Sequence, residues 1–389
     1  MKLSQTRWTK PGGWNPGPLA PSTPPADLVL IFGATSVWAE PGLLDQVRQA
    51  HPQAHVMGCS TAGEICGTQV HDDSMVVTAI KFEHTQVRGA GVTLKDGTES
   101  LATGEKLGEA IPHSVPGAEP GTTDPLVHVF VLSDGLHVNG SDLVRGLTAK
   151  LPLDVTITGG LAGDGARFGE TCVIWDAAPA NNLVAAIGLY GSRLKVGFGS
   201  LGGWDSFGPE RVITRSAGNV LYELDGQSAL GLYKKYLGEH ASGLPATGFL
   251  FPLSLRTNAG DVAVVRTVLA VDEAAESMTF AGDMPQGSFA RLMKANFDRL
   301  IDGASGAATT GQQAIGSVPP DLAILISCVG RKLVLKQRIE EEVEGVREIL
   351  GENAVLAGFY SYGEISPFKP GVKCELHNQT MTITTLLET

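Results

Sequence analysis

The sequence has no block of basic residues, no long apolar run and no paired-cysteine motif. Its net charge is −12 at pH 7. An acidic chain without a Lys/Arg cluster lacks the patch that nucleic acid or an anionic bilayer requires, so neither partner is expected. No apolar stretch approaches the ~20 residues of a bilayer-spanning helix, and no apolar segment follows the first lysine to read as a secretory signal. These absences predict a cytoplasmic protein. The five cysteines (Cys59, Cys66, Cys172, Cys328, Cys374) are odd in number and scattered. Without C-x-x-C or zinc-ribbon spacing they read as reduced, buried thiols, with Cys59 and Cys328, at predicted strand ends, the most open to reaction. G-x-x-x-x-G-K-[ST] and H-E-x-x-H are also missing, which removes a P-loop and a zincin site.

What the chain does contain is a repeated signature. Gly58-Cys59-Ser60-Thr61-Ala62-Gly63-Glu64, Thr158-Gly159-Gly160-Leu161-Ala162-Gly163-Asp164 and Gly358-Phe359-Tyr360-Ser361-Tyr362-Gly363-Glu364 each lead from an apolar run through small residues to Gly and a carboxylate. Each reads as a buried strand ending in a turn, with Gly allowing close backbone approach and the acid emerging at the rim. Three such rims could line one pocket. The alternative is that the acids cap backbone N–H groups in structural turns.

In order, residues 1–26 are rich in Pro and Gly and read as an extended arm, with Trp8 and Trp14 available to pin it to the body or to a second subunit. A strand at 28–32, a helix at 41–50, the first turn and strands at 74–82 and 86–94 follow. After a helix at 99–111 the pattern restarts: strand 127–132, a helix capped by Asn139 or Ser141, the second turn, and strands 171–175, 182–190 and 194–198. The parallel between the two blocks predicts an internal duplication. Beyond it, 219–237 reads as helix, 262–271 and 277–280 as strands, 288–301 as helix and 303–313 as a small-residue linker. A strand at 323–327, a helix at 340–350, the third turn and a strand at 379–387 close the chain. Strands in pairs and triples predict an α/β fold of α+β character. Its duplicated strand-helix-strand-strand-strand units form mixed, largely antiparallel sheets covered by helices. The expected segments are the arm 1–26, a first domain 27–215 and a second 216–389.

Gly197-Phe198-Gly199-Ser200-Leu201-Gly202 matches G-x-G-x-x-G, but the Gly203 to Pro209 segment behind it cannot open the helix that dinucleotide binding needs. Ser60 sits in a near-match to a nucleophile elbow with its second glycine one place late, so a Ser60 or Cys59 hydrolase stands as a lesser alternative. His71, His137 and His377 are the histidines with polar or loop neighbours. Each is a structural histidine or an axial ligand to haem iron.

The three Gly-acid segments, Ser133-Asp134-Gly135, Ser327-Cys328-Val329-Gly330-Arg331 and His377-Asn378-Gln379-Thr380 together resemble the FIST domain family, with its N-terminal and C-terminal parts, over nearly the whole chain after residue 26. The resemblance implies a non-enzymatic sensory module. It would bind a small ligand and regulate a separate histidine kinase or cyclic-di-GMP enzyme, with a homodimer as an option. It also implies a ligand of one of two kinds: haem b sensing nitric oxide, or an amino acid or similar small polar molecule; the family carries over no haem ligand, and His71, His137 and His377 are the candidates that their own neighbours give. The expected ligand-binding set is Ser60, Thr61, Glu64, Asp164, Arg331, Tyr360, Tyr362 and Glu364. The acids would suit an amino group, Arg331 a carboxylate or propionate, and the tyrosines would wall either ligand.

Overall fold

The computed structural model describes residues 1–258, 263–368 and 372–389. Its chain traces the same path three times. The first repeat runs β1 (Lys2–Thr9), β2 (Leu28–Gly33), α1 (Leu43–Ala50), β3 (His55–Ser60), the Gly-acid turn, β4 (Glu64–Cys66) and β5 (Ser74–Lys81). The second runs β6 (Gln86–Thr93), β7 (Thr123–Ser133), α2 (Gly140–Lys150), β8 (Thr156–Leu161), β9 (Val173–Trp175) and β10 (Leu183–Tyr190). The third runs β11 (Leu194–Leu201), β12 (Leu322–Cys328), α3 (Ile339–Leu350), β13 (Val355–Ser361), β14 (Gly363–Pro367) and β15 (Met381–Glu388). The pattern expected twice therefore recurs a third time.

Within each repeat the first two buried strands are parallel (β2 with β3, β7 with β8, β12 with β13), and the closing strand returns antiparallel beside the first. The short strand after each turn leaves its own sheet. β4 pairs with β13, β9 with β3 and β14 with β8. The sheets consequently share one order: β9-β3-β2-β5-β1, β14-β8-β7-β10-β6 and β4-β13-β12-β15-β11. Each repeat hands a strand to another in a closed cycle, around a pseudo-threefold axis.

The continuous apolar runs of β2, β7 and β12 follow from burial on both faces. Leu28, Leu30 and Phe32 of β2, Phe130 and Leu132 of β7, and Leu322, Ile324 and Ile326 of β12 meet in one central core. Their alternates face outward onto helices: Val29 and Ile31 onto α1, Val129 and Val131 onto α2, Ala323 and Leu325 onto α3. In the second and third repeats a further helix packs beside these, Ser100–Ala110 and Phe297–Ala314. In the first repeat the Pro-rich segment lies near α1, where Trp14 Nε1 donates to Gln46 Oε1 at 2.9 Å. The arm is thus held on the body, and its first residues form β1, in register with β5 from Lys2 to Thr9.

The third repeat carries an insertion. Residues between β11 and the helix Phe297–Ala314 build a separate eight-stranded sheet with its own core, covered by a helix Ala229–Leu237. Several local expectations change here. The span 219–237 divides into a strand Val220–Leu224 and that helix, whose N-cap Ser228 accepts from Gly231 N–H. The helix expected at 288–301 is a strand, Phe289–Lys294, before the helix Phe297–Ala314. Of the strand expected from 262, Val262 lies outside the described residues; Val264–Arg266 and Val268–Asp272 are strands. The small-residue linker at 303–313 lies inside the helix Phe297–Ala314. Its small residues permit contact rather than flexibility. A Cβ on Gly197 would sit 2.0 Å from the Gly311 carbonyl, and one on Gly199 would sit 2.1 Å from the Ala307 carbonyl. The G-x-G-x-x-G match is thus a strand surface shaped for a helix.

Candidate functional site

The three turns meet at the axis. Ala62 N–H donates to the Tyr360 carbonyl at 2.8 Å, and Tyr360 N–H to the Gly63 carbonyl at 2.8 Å. Gly163 N–H donates to the Ser60 carbonyl at 2.9 Å, and Tyr362 N–H to the Leu161 carbonyl at 3.2 Å. A Cβ on Gly163 would lie 2.9 Å from Ala62 N and 3.2 Å from the Tyr360 carbonyl, so this glycine is required by close approach. The carboxylates turn inward rather than to a rim. Glu64 is fully buried, accepting from Thr61 Oγ1, from Ser74 Oγ at 2.6 Å and from Ser74 N–H at 3.2 Å. Glu364 repeats this with Ser361 Oγ at 2.7 Å, Thr380 Oγ1 at 3.0 Å and Thr380 N–H at 3.2 Å. Burial pushes their pKa values up, to about 7 and about 8, against the pull of these donors. Burial would also raise Asp164, but hydrogen bonds from Arg167, Thr35 and the Glu170 N–H outweigh it and hold the carboxyl below its usual range. The acids cap their own turns, as the structural alternative has it, and none presents a free oxygen to a shared pocket.

The segments after β2, β12 and β7, the first two short helices (Thr35–Trp38 and Val329–Leu335) and the third a loop, each reach the turn of another repeat. Thr35 Oγ1 meets Asp164 at 2.5 Å, and Lys332 Nζ meets the Ala62 carbonyl at 2.8 Å. After β7 the loop places Gly135 against the third turn, where a Cβ would come within 3.0 Å of the Tyr362 ring. Beside this point lies a cavity of about 560 Å³, bounded by the 135–140 loop, Leu161, Phe168, Tyr362 and, from the inserted sheet, Asn219 and Phe280–Gly282. It stands beyond the carboxyl ends of the parallel strands β7 and β8, the place where open α/β sheets bind ligands.

One wall of the cavity is aromatic. Phe168 stacks on Tyr362 at 4.4 Å between centroids, and on Phe249 of the insertion at 5.9 Å. Tyr362 Oη donates to the Gly165 carbonyl and accepts from Phe168 N–H, both at 3.2 Å. Burial pushes its pKa up to about 12, so the phenol stays neutral. Leu136, Val138, Leu269 and Leu376 add apolar surface, and the polar part of the lining is Lys95, Asp96, His137, Asn139, Asn182 and Asn219. Asp134, wholly buried, fixes the loop by accepting from Leu136 N–H and His137 N–H at 2.8 Å and from Asn182 N–H at 3.0 Å. Phe168 and Asn182 hold φ of +51° and +57°, a conformation that costs energy for a non-glycine residue and gathers at ligand sites. The side-chain carbonyl of Asn182 is buried and without a hydrogen-bond partner.

Comparison with known proteins now gives the lineage. A FIST N domain model matches residues 27–227 and a FIST C domain model matches residues 229–367. The chain belongs to the FIST family. The two matches meet inside the inserted sheet, between strands Val220–Leu224 and Gln227–Ser228 and the helix Ala229–Leu237. An uncharacterized protein of Methanocaldococcus jannaschii is 23% identical over 292 residues, covering 70% of this chain and 55% of that protein. The chain therefore spans about half the length of this curated relative.

In this FIST protein, two of the expected residues, Tyr362 and His137, line the cavity. Ser60 is wholly buried, its Oγ accepting from Cys172 N–H at 3.0 Å. Burial holds the Cys59 thiol protonated, so neither group is set up as a nucleophile. Thr61 is spent on Glu64. Arg331 and Tyr360, both fully buried, converge on Glu342: Arg331 Nη2 at 2.7 Å and Tyr360 Oη at 2.6 Å. Arg331 also donates to the Gly202 and Leu300 carbonyls at 2.5 and 2.7 Å. This is a core network, not a ligand anchor. The three histidines lie apart. His71 faces Arg7 Nη1 at 2.6 Å on the edge of a sheet. His377 is buried, 2.8 Å from the Ser366 carbonyl and edge-on to Phe368. Only the His137 side chain is half-exposed, with Nδ1 3.2 Å from Asp134 Oδ1. No cluster of three or more metal-ligating side chains occurs among the described residues, nor is any helix there long and apolar enough to cross a membrane. Lys95, Asp96, Phe168, Asn182, Asn219 and Phe280 were not legible as site residues, because insertion and repeat come together only in the fold.

Proposed function

We propose that this FIST protein is a sensor whose ligand is a small polar molecule bearing an amino group, of the amino-acid class, bound in the cavity between the 135–140 loop and the inserted sheet. The observation that carries this reading is Asn182: held at positive φ, with a buried side-chain carbonyl that lacks a donor. An ammonium N–H supplies that donor, Asp96 and Lys95 offer opposite charges for a zwitterion, and the Phe168–Tyr362 stack covers an apolar side chain. A bound ligand touches both the repeat and the insertion, so it favours one arrangement of the two, which a separate histidine kinase or cyclic-di-GMP enzyme reads. A thermal-shift panel of amino acids tests this. A ligand at a hundred times its Kd adds about 2.7 kcal/mol, and Asn182→Ala abolishes the shift. A flat panel sinks the proposal.

A second reading, haem sensing nitric oxide, is favoured by one feature. Asp134 is placed to orient the His137 ring through Nδ1, which leaves Nε2 for a metal. His137 would hold the iron, and bound haem would supply the centre that takes up nitric oxide. Reconstitution with haem should then give a Soret band that His137→Ala removes and His71→Ala and His377→Ala retain. A featureless spectrum excludes this reading without touching the first.

A further inference from the structure

A second cavity, of about 420 Å³, lies on the other side of the α2 N-terminus, between that helix and the inserted sheet. Its lining is cationic in an acidic protein: Arg145, Arg256, Arg266 and Lys373 against Asp283 and Glu375. Arg256 is held by Glu210, with Nε at 2.6 Å. Arg266 is different. It is 6% exposed, and among the described residues its guanidinium donates only to backbone carbonyls: Leu376 at 3.0 Å, Asp283 and Val265 at 3.3 Å. Asp283 and Glu375 lie close enough to act on its charge, but Asp283 Oδ1 accepts from Asn139 Nδ2 and Glu375 has a partner of its own. A buried guanidinium without a carboxylate partner is costly unless something anionic completes it. Burial draws its pKa down to about 10, so it remains charged near neutrality.

A second observation points the same way. Ser141, in the first turn of the eleven-residue helix α2, also lines this cavity. Its Oγ is buried and has no hydrogen-bond partner. A free hydroxyl donor, Arg266 and Lys373 line one space, beside a helix start whose Ser141 and Asp142 N–H groups are already taken by Asn139 Oδ1. We infer that this cleft is a binding site for a small oxyanion, a carboxylate or phosphate group, with Arg266 as its anchor and Ser141 as a donor. Arg266 gives the fork geometry such groups accept in bidentate fashion. The site is separate from the first cavity. Gly282, which lines that cavity, packs against Arg266 (a Cβ there would lie 2.7 Å from Arg266 Nε), and Asn139 Nδ2 donates to Asp283 Oδ1 at 3.2 Å between the two spaces. The inference stands whichever ligand the first cavity takes.

Calorimetric titration of the full chain with sodium phosphate and with sodium acetate, against sodium chloride at matched ionic strength, tests it. Saturable binding of one anion or both is expected, and the preference between them identifies phosphate or carboxylate as the source. Arg266→Gln should weaken that binding about tenfold or more, the effect of deleting a charged hydrogen-bonding group. If circular dichroism shows that variant unfolded, Ser141→Ala and Lys373→Gln take its place, each expected to weaken binding about threefold or more. No saturable binding with either anion, or unchanged affinity in the folded variants, overturns the inference. So does loss of binding in Asn182→Ala with these variants intact, which would put the anion in the first cavity.

Discussion

Glu64 and Glu364 titrate against stability in a direction set by burial. Each has a folded-state pKa, about 7 and about 8, above the ordinary carboxylate value of 4.5. Between 4.5 and those values the native state binds more protons than the unfolded one, so stability falls as pH rises through that window. These windows, about 2.5 and 3.5 pH units wide, correspond to roughly 3–5 kcal/mol per group before relaxation. Melting temperature followed from pH 5 to pH 8 should therefore decline. Glu64→Gln with Glu364→Gln should flatten the decline and leave the double variant more stable than the parent at pH 8; a parallel pair of curves would refute this. Arg331 works in the opposite sense. Arg331→Met leaves Glu342 buried and charged, and a loss of about 3–5 kcal/mol in denaturant unfolding is expected. A folded variant of parental stability would return Arg331 to the pool of ligand anchors. The sequence shows these residues as polar points in apolar context, which marks them as special. Whether they face a pocket or the backbone depends on Ser74 and Thr380, residues at the start of the closing strand of each repeat, ten and sixteen positions further along.

At the scale of elements, the strands were the most readable part. Runs such as Leu28–Gly33 and Leu322–Cys328 are buried throughout, and their apolar continuity states as much. The helix Phe297–Ala314 was not readable, because Gly and Ala serve contact there while suggesting a linker by composition. Gly199→Val tests the contact. Its side chain would collide with the backbone of Ala307, and overpacking of that kind costs about 1–3 kcal/mol. A melt unchanged from the parent would mean that the helix can retreat. The insertion hid the third repeat by separating β11 from β12, and the cavity walls with it: Phe280 ends a strand that is legible, Ser277–Phe280, but Asn219 borders a span that reads as one helix and holds a strand, Val220–Leu224, before it.

Across the whole molecule the exchanged strands tie the repeats together. β4, β9 and β14 each complete a sheet that belongs to a different repeat, so unfolding one repeat strips a strand from a second and orphans the strand that the third had placed in its sheet. Native-state hydrogen exchange should give the amides of these three strands a common opening free energy. The inserted sheet, with a core of its own, should open separately and more easily. Three distinct opening energies for the three strands would show that the repeats are independent.

The same cycle is one that separate chains could form. A single repeat standing alone would carry a short strand with no sheet to join and a sheet missing its last strand. Three identical chains, each lending its strand to a neighbour, would satisfy every one of these pairings around a true axis. The present molecule has the connectivity of such a trimer made covalent, yet its three equivalent positions are no longer alike: Lys332 fills one turn, Thr35 another, and the third adjoins a cavity beside Gly135.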